Sequence, residues 1–337
     1  MARRLGGQTA ELTAKIGLVA YASAVGKKEG EGPLGRGFDR VFEDSYLGQD
    51  SWEKAEVALI QSAFDGCLNK APVGLKRPDA VLGGDLLNQC VSSTLALKDS
   101  GLPYYGLYGA CSTMAEGLAL AALLIDSGSL RSACALTGSH FCASERQYRF
   151  PLEYGGQRTP TAQWTVTGAG AVMLAAGRTG ARVTHVTTGR IVDAGITDAA
   201  NMGAAMAPAA FDTLTAHFQD TGRDFDDYDA VFTGDLGAIG HDILQDLLQK
   251  DGRSPGLKYY DCGVLIYDLK TQDVHAGGSG CGCSAAVLTG HILPAMERGV
   301  WRRVLFAGTG ALMSPLTCQQ GFAIPGVCHA VAIERED

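Results

Sequence analysis

Short apolar runs alternate with longer amphipathic stretches along most of this chain. In the first half, apolar runs near 16–22, 79–83, 103–107, 132–137 and 169–176 are short enough for buried strands, while residues near 52–69, 86–98 and 112–127 carry apolar positions at helical spacing. The second half reads the same way, with strands near 182–190, 229–233, 303–308 and 328–333 and helices near 206–221, 238–250 and 284–298. That alternation predicts sheets with covering helices.

The two halves also share landmarks. Asp79-Ala80-Val81-Leu82-Gly83-Gly84-Asp85 recurs 150 residues later as Asp229-Ala230-Val231-Phe232-Thr233-Gly234-Asp235. Cys111-Ser112 opens a helical pattern ending near Gly128, and Cys283-Ser284 opens one ending at Gly299; each is followed by a basic residue and an apolar strand. A duplicated α/β unit follows, with halves at 1–178 and 179–337. Residues 141–165 match neither template. They are aromatic and Arg-rich with Pro151, Gly155, Gly156 and Pro160, and so read as a long excursion of the kind that lines sites.

Composition narrows the class. With 46% hydrophobic and 19% charged residues, there is material for a large core and too little charge for disorder. A net charge of −8 without a basic block argues against nucleic acid, and against electrostatic attachment to an anionic membrane. No apolar run approaches the roughly 20 residues of a membrane span, and the N-terminus lacks the apolar stretch of a signal peptide, so a soluble intracellular protein is expected. Ten scattered Cys suit reduced thiols without disulfides.

The strongest chemical signal is Tyr108-Gly109-Ala110-Cys111-Ser112-Thr113-Met114, between a strand and a long apolar helix. A Cys at a helix start lies near unpaired N–H groups and the positive end of the dipole, which would lower its pKa and make a nucleophile. A buried structural thiol is the equal alternative, since free Cys is among the most buried residue types. Other motifs point nowhere. Cys281 and Cys283 with Cys262 and His275 lack paired zinc spacing. Gly277-Gly278-Ser279-Gly280 lacks the Lys of a phosphate loop. The run Asp224, Asp226, Asp227 and Asp229 lacks the Glu and Gly of a calcium loop. No metal site is expected.

A duplicated α/β unit with Gly-x-Cys-Ser opening its first central helix resembles the thiolase superfamily, including the ketoacyl synthases. Thr167-Gly168-Ala169-Gly170-Ala171-Val172 and Gly277-Gly278-Ser279-Gly280-Cys281-Gly282-Cys283 carry the same resemblance. It implies a five-layer αβαβα fold, two pseudo-duplicated halves packing their central helices between two mixed sheets, with Cys111 as the acylated nucleophile. The acid/base partners are missing. Phe232-Thr233-Gly234-Asp235-Leu236-Gly237 has no His where such enzymes carry one, and Gly280-Cys281-Gly282-Cys283 has neither the Asn nor the second His.

A narrower resemblance lies in Ser139-His140-Phe141 through Gln157-Arg158, in Trp164-Thr165-Val166, and in Gly35–Asp39 and Asp44–Glu56 near the start. These stretches are similar to the stage V sporulation protein AD family of endospore-forming bacteria. That resemblance implies a non-catalytic binder of pyridine-2,6-dicarboxylate (dipicolinate), alone or as its calcium chelate, serving uptake into the forespore and release in germination. It also implies membrane-embedded partner subunits, a peripheral place on the forespore or spore inner membrane, and room for a homodimer. No cofactor is expected beyond calcium arriving with the ligand. A flat ring with two carboxylates wants a stacking wall, a helix N-terminus and bidentate donors. Cys111, Ser112, Ser139, His140, Arg149, Arg158, Trp164 and Gly280 are the candidate ligand contacts, with Arg146, Phe150 and Tyr154 alongside, although any single loop Arg is as readily a solvated or paired one. Two rivals stand beside the binder: an acyl-CoA-dependent transferase or condensing enzyme using Cys111 with a displaced base such as His140, and a structural subunit with a vestigial pocket.

Overall fold

The computed structural model describes residues 1–148 and 157–336. Five strands build the first half: β1 (Thr9–Gly26), β2 (Ala80–Gly84), β3 (Tyr104–Gly106), β4 (Ser132–Ser139) and β5 (Gly168–Ala176). Five more build the second: β6 (Ala181–Thr187), β7 (Ala230–Thr233), β8 (Tyr259–Asp261), β9 (Arg303–Ala311) and β10 (Gly326–Arg335). The spatial order is β3-β2-β4-β5-β1 in one half and β8-β7-β9-β10-β6 in the other, so the duplication read in the sequence is a duplication of topology. Pairing matches as well: β2 is parallel to β3 and β4, β7 is parallel to β8 and β9, and the remaining neighbours are antiparallel.

The halves join through their first strands. The early part of β1 pairs antiparallel with β6 and its later part with β5, with register shifts between Glu11 and Ile16 and between Leu18 and Ala20. Strand hydrogen bonding therefore runs unbroken from one half into the other, where the sequence suggested two separate sheets.

Each sheet is apolar on both faces, which explains why the strands read as continuous apolar runs. Cys134 and Leu136 pack outward on α1 (Trp52–Lys70), whereas Ala133 and Ala135 pack inward on α2 (Thr113–Asp126), the first central helix. In the second half Leu305 and Ala307 meet the outer layer, which contains α4 (Met202–Thr221) and α5 (Gly237–Lys250), while Val304 and Phe306 face the centre. The second central helix begins as α6 (Cys281–Val287), passes through one wide turn at Leu288–Ile292 and ends at Leu293–Glu297. All ten Cys are free thiols, and among the described residues no helix is long and apolar enough to cross a membrane.

Three segments differ from the expectation. Residues 86–98 form no single helix: the Asp85 carboxylate accepts from Leu87 N and from both N and Oγ of Ser93, tying down a turn in which Gln89 and Cys90 are left-handed, and a regular helix begins only at Val91. Strand β8 is too short to register as a run. The excursion after His140 starts as a helix, α3 (Phe141–Tyr148), whose buried side chains include Ser144 and Glu145, so hydrophobic periodicity cannot reveal it.

The repeated Asp residues have matching work. Asp79 accepts from the N–H groups of Arg131 and Ser132, and Asp229 from those of Arg302 and Arg303, each carboxylate binding the start of the neighbouring strand. Losing a charged acceptor for two N–H groups costs roughly 1.5 kcal/mol. Asp79→Ala and Asp229→Ala are each expected to lose about that much in urea unfolding, and the double variant their sum, because the sites are remote. A strongly non-additive double variant would contradict the independence of the two halves at these positions.

Candidate functional site

The start of α2 sits on the second half's sheet. A Cβ on Gly310 would come within 2.6 Å of Gly109 O, and one on Gly308 within 2.7 Å of Ala115 Cβ, so two glycines of β9 let the Cys111 turn approach. The turn is tight, with Ala110 left-handed at φ 51°. Ser112 Oγ donates to Gly109 O at 2.7 Å and Thr113 Oγ1 to Ala110 O at 2.6 Å, so the Ser112 hydroxyl serves its own backbone.

Cys111 lines a cavity of about 80 Å³. Behind the sulfur is Asp235, just after β7. Its carboxylate accepts from Thr309 Oγ1 (3.0 Å), Ser279 Oγ (3.2 Å) and Gly280 N (3.0 Å), and the Cys111 thiol lies close enough to interact with it electrostatically. Burial, opposed by the Cys111 thiol and reinforced by nearby Asp261, pushes the Asp235 carboxyl up to about 7.

Of the two readings of Cys111, nucleophile and buried thiol, the surroundings favour the second. Burial, then the carboxylate of Asp235 and the thiol of Cys281, drive the Cys111 thiol well above its ordinary range. A helix dipole contributes about 0.3–1 kcal/mol at an exposed terminus, too little against desolvation beside a carboxylate. At neutral pH Cys111 is a thiol.

The other candidates divide between two places. Gly280 does not line the cavity but follows the lining residue Ser279, and its φ of 101° and the 2.6 Å approach of Ser139 Oγ to an added Cβ both demand glycine. Ser139 braces that turn, donating to Val166 O and accepting from Gly282 N, and does not line the cavity. His140 was expected to face Cys111, but it lines a second, wider cavity with Lys28, Ser45 and Phe141. Its ring is fully engaged: Nδ1 accepts from Ala143 N, and Nε2 therefore donates to Ser45 O at 2.7 Å. Trp164 borders the same second cavity, stacked on Phe141 at 3.8 Å with Lys28 Nζ over its ring. Arg158 lies over Trp164 and pairs with the carbonyl and carboxylate of Asp273, and Arg146 pairs with Glu53. Neither guanidinium is a clamp at the Cys111 cavity. Arg149, Phe150 and Tyr154 lie outside the described residues.

The sequence reading missed much of the lining. Ser144, Glu145 and Tyr148 enter from α3, Thr165 from the excursion, and Met202 and Met313 from the second half. The Ser144 hydroxyl is buried with no partner. The Cys111 cavity has no Lys, Arg or His among its described lining residues, and no group of three or more His, Cys, Asp or Glu among the described residues is placed to hold a metal ion. Asp235 did carry a signal, since the repeated Gly-Asp pair put a carboxylate at the same strand end in both halves.

The family model described as Stage V sporulation protein AD matches residues 6–334. Stage V sporulation protein AD of Bacillus subtilis (strain 168) is 45% identical over 313 residues, 93% of this chain and 92% of its own length. Among solved structures, Xanthomonas campestris OleA with cerulenin aligns at TM-score 0.62 and 13% identity, over 96% of this chain and 97% of that one. FabH, the 3-oxoacyl-(acyl carrier protein) synthase III of Pseudomonas aeruginosa PAO1, aligns at TM-score 0.56 and 15% identity, over 96% and 99%. These two likenesses show a thiolase-like fold.

Proposed function

This chain belongs to the stage V sporulation protein AD family, and from that premise we propose that its Cys111 cavity binds dipicolinate, free or as the calcium chelate, without performing chemistry on it. It is a sporulation protein of thiolase-like fold. The reading continues with uptake into the forespore and release in germination, at the surface of the spore inner membrane, in company with membrane-embedded channel subunits and as a monomer or homodimer.

One observation supports binding over condensation most directly: the cavity is lined by a Cys111 thiol that burial and the neighbouring Asp235 carboxylate hold well above its ordinary pKa, with no imidazole among the described lining residues. A condensing enzyme needs placed donors for an enolate and a thioester oxyanion. Here the residue just after β7 is an acceptor of three hydrogen bonds. The lining is also suited to a flat acid, with Leu86, Ala110, Met202 and Met313 as apolar surface and the Ser144 hydroxyl free to bond.

Calorimetric titration of the purified protein is expected to show saturable binding of dipicolinate and none of benzoate. Incubation with acyl-CoA followed by intact mass is expected to leave the protein unmodified. An acyl adduct lost in Cys111→Ala would replace this reading with the transferase, and absence of dipicolinate binding would leave the pocket vestigial.

A further inference from the structure

A donor of the cavity lining is already committed. The Ser279 hydroxyl carries one hydrogen and gives it to the Asp235 carboxylate, beside the buried Cys111 thiol. No cation balances that carboxylate among the described residues: its other partners are Thr309 Oγ1 and Gly280 N. The titratable groups that face Asp235 from the packed elements are Cys111, Cys283, Cys262 and Asp261, the last feeling His241 at a further remove, while Cys281 faces Cys111 and the Glu145 carboxyl lines the same cavity. A ligand carboxylate that settles beside Ser279 meets a second carboxylate already using that hydroxyl's hydrogen. Two buried carboxylates that share a site hold one proton between them.

Resting on the dipicolinate reading, we infer that the cavity accepts its ligand only in charge-compensated form. The free dianion binds together with one proton, taken from solvent and shared between Asp235 and the ligand carboxylate. The calcium chelate, neutralised by its own cation, binds without a proton. The same floor then admits both forms of the ligand, and pH selects between them. Asp235 acts here as a positioning residue, because Cys111 and Ser279 stand between it and the cavity.

The test is a proton inventory on the full chain at pH 8.5, titrating disodium dipicolinate with and without equimolar calcium chloride in two buffers of different ionisation enthalpy. The free diacid is expected to take up about one proton per molecule bound and the chelate about none. Between pH 8 and 9.5 the affinity for the free diacid should fall by about tenfold per pH unit, while that for the chelate stays level. In Asp235→Asn the uptake should vanish and the free-diacid affinity should lose its slope. Binding of the free diacid without proton uptake, or equal uptake with both forms, overturns the inference and leaves the binding reading standing; so does uptake that persists in Asp235→Asn. Absence of binding by either form overturns both. The wild-type comparison decides the matter even where the variant fails to fold.

Discussion

Cys111→Phe is expected to lower dipicolinate affinity by about a hundredfold or more, equivalent to about 2.7 kcal/mol, with the fold intact. Cys111 forms part of the cavity floor, so added side-chain volume goes into the space the ligand occupies. The Asp235 carboxylate nearby keeps its three donors, Thr309, Ser279 and Gly280, in the variant. The companion variant is Cys111→Ser, which keeps nearly the same size. A binder should tolerate it within severalfold, whereas an acyl enzyme would lose its nucleophile. Direct titration of both variants, beside their thermal unfolding, reads the outcome. Equal affinity in Cys111→Phe and the wild type would remove the ligand from this cavity.

The second large effect is on stability. Gly170→Val should cost roughly 3 kcal/mol, because overpacking a rigid interior forces backbone displacement. An added Cβ at Gly170 would stand 2.5 Å from Ala285 O and 2.8 Å from Ala285 C, both backbone atoms of α6. The same crossing recurs next door, where a Cβ on Gly282 would lie 2.2 Å from Gly168 O. Helix α6 therefore rests directly on β5 through glycines of both, and a valine at 170 has no flexible side chain to displace. Gly74→Ala is the control, since nothing lies within 4 Å of its Cβ position. Urea unfolding compares the two, and a Gly170→Val variant as stable as the control would mean that the central layer yields more easily than packed interiors do.

These cases show where local reading reaches its limit. The duplicated Asp-Ala-Val motif, the strand–helix alternation and the glycine-rich stretches at 167–175 and 277–285 were all legible, because periodicity and turn chemistry act between near neighbours along the chain. The absence of a His from Phe232–Gly237, where condensing enzymes carry one, could also be read, with Asp235 in that stretch. The purpose of the glycines could not. Gly170 and Gly282 are 112 positions apart, and only packing reveals that each makes room for the other's element. Helix α3 stayed hidden for a related reason: it buries Ser144 and Glu145 toward a cavity, so its inward face is polar.

The charge state of the site was decided in three dimensions. Sequence places Cys111 at a helix start, and from that alone a lowered pKa follows. Folding brings Asp235, 124 positions away, against the sulfur and removes water from both, which reverses the sign. His140, Trp164 and Arg158 likewise share a short span with the candidate pocket, yet their partners Ser45, Phe141, Lys28 and Asp273 draw them to a neighbouring cavity or its edge. The order of residues sets which elements form and that they form twice; desolvation and the partners met across the sheet set which side chains share a site and which of them carry a proton.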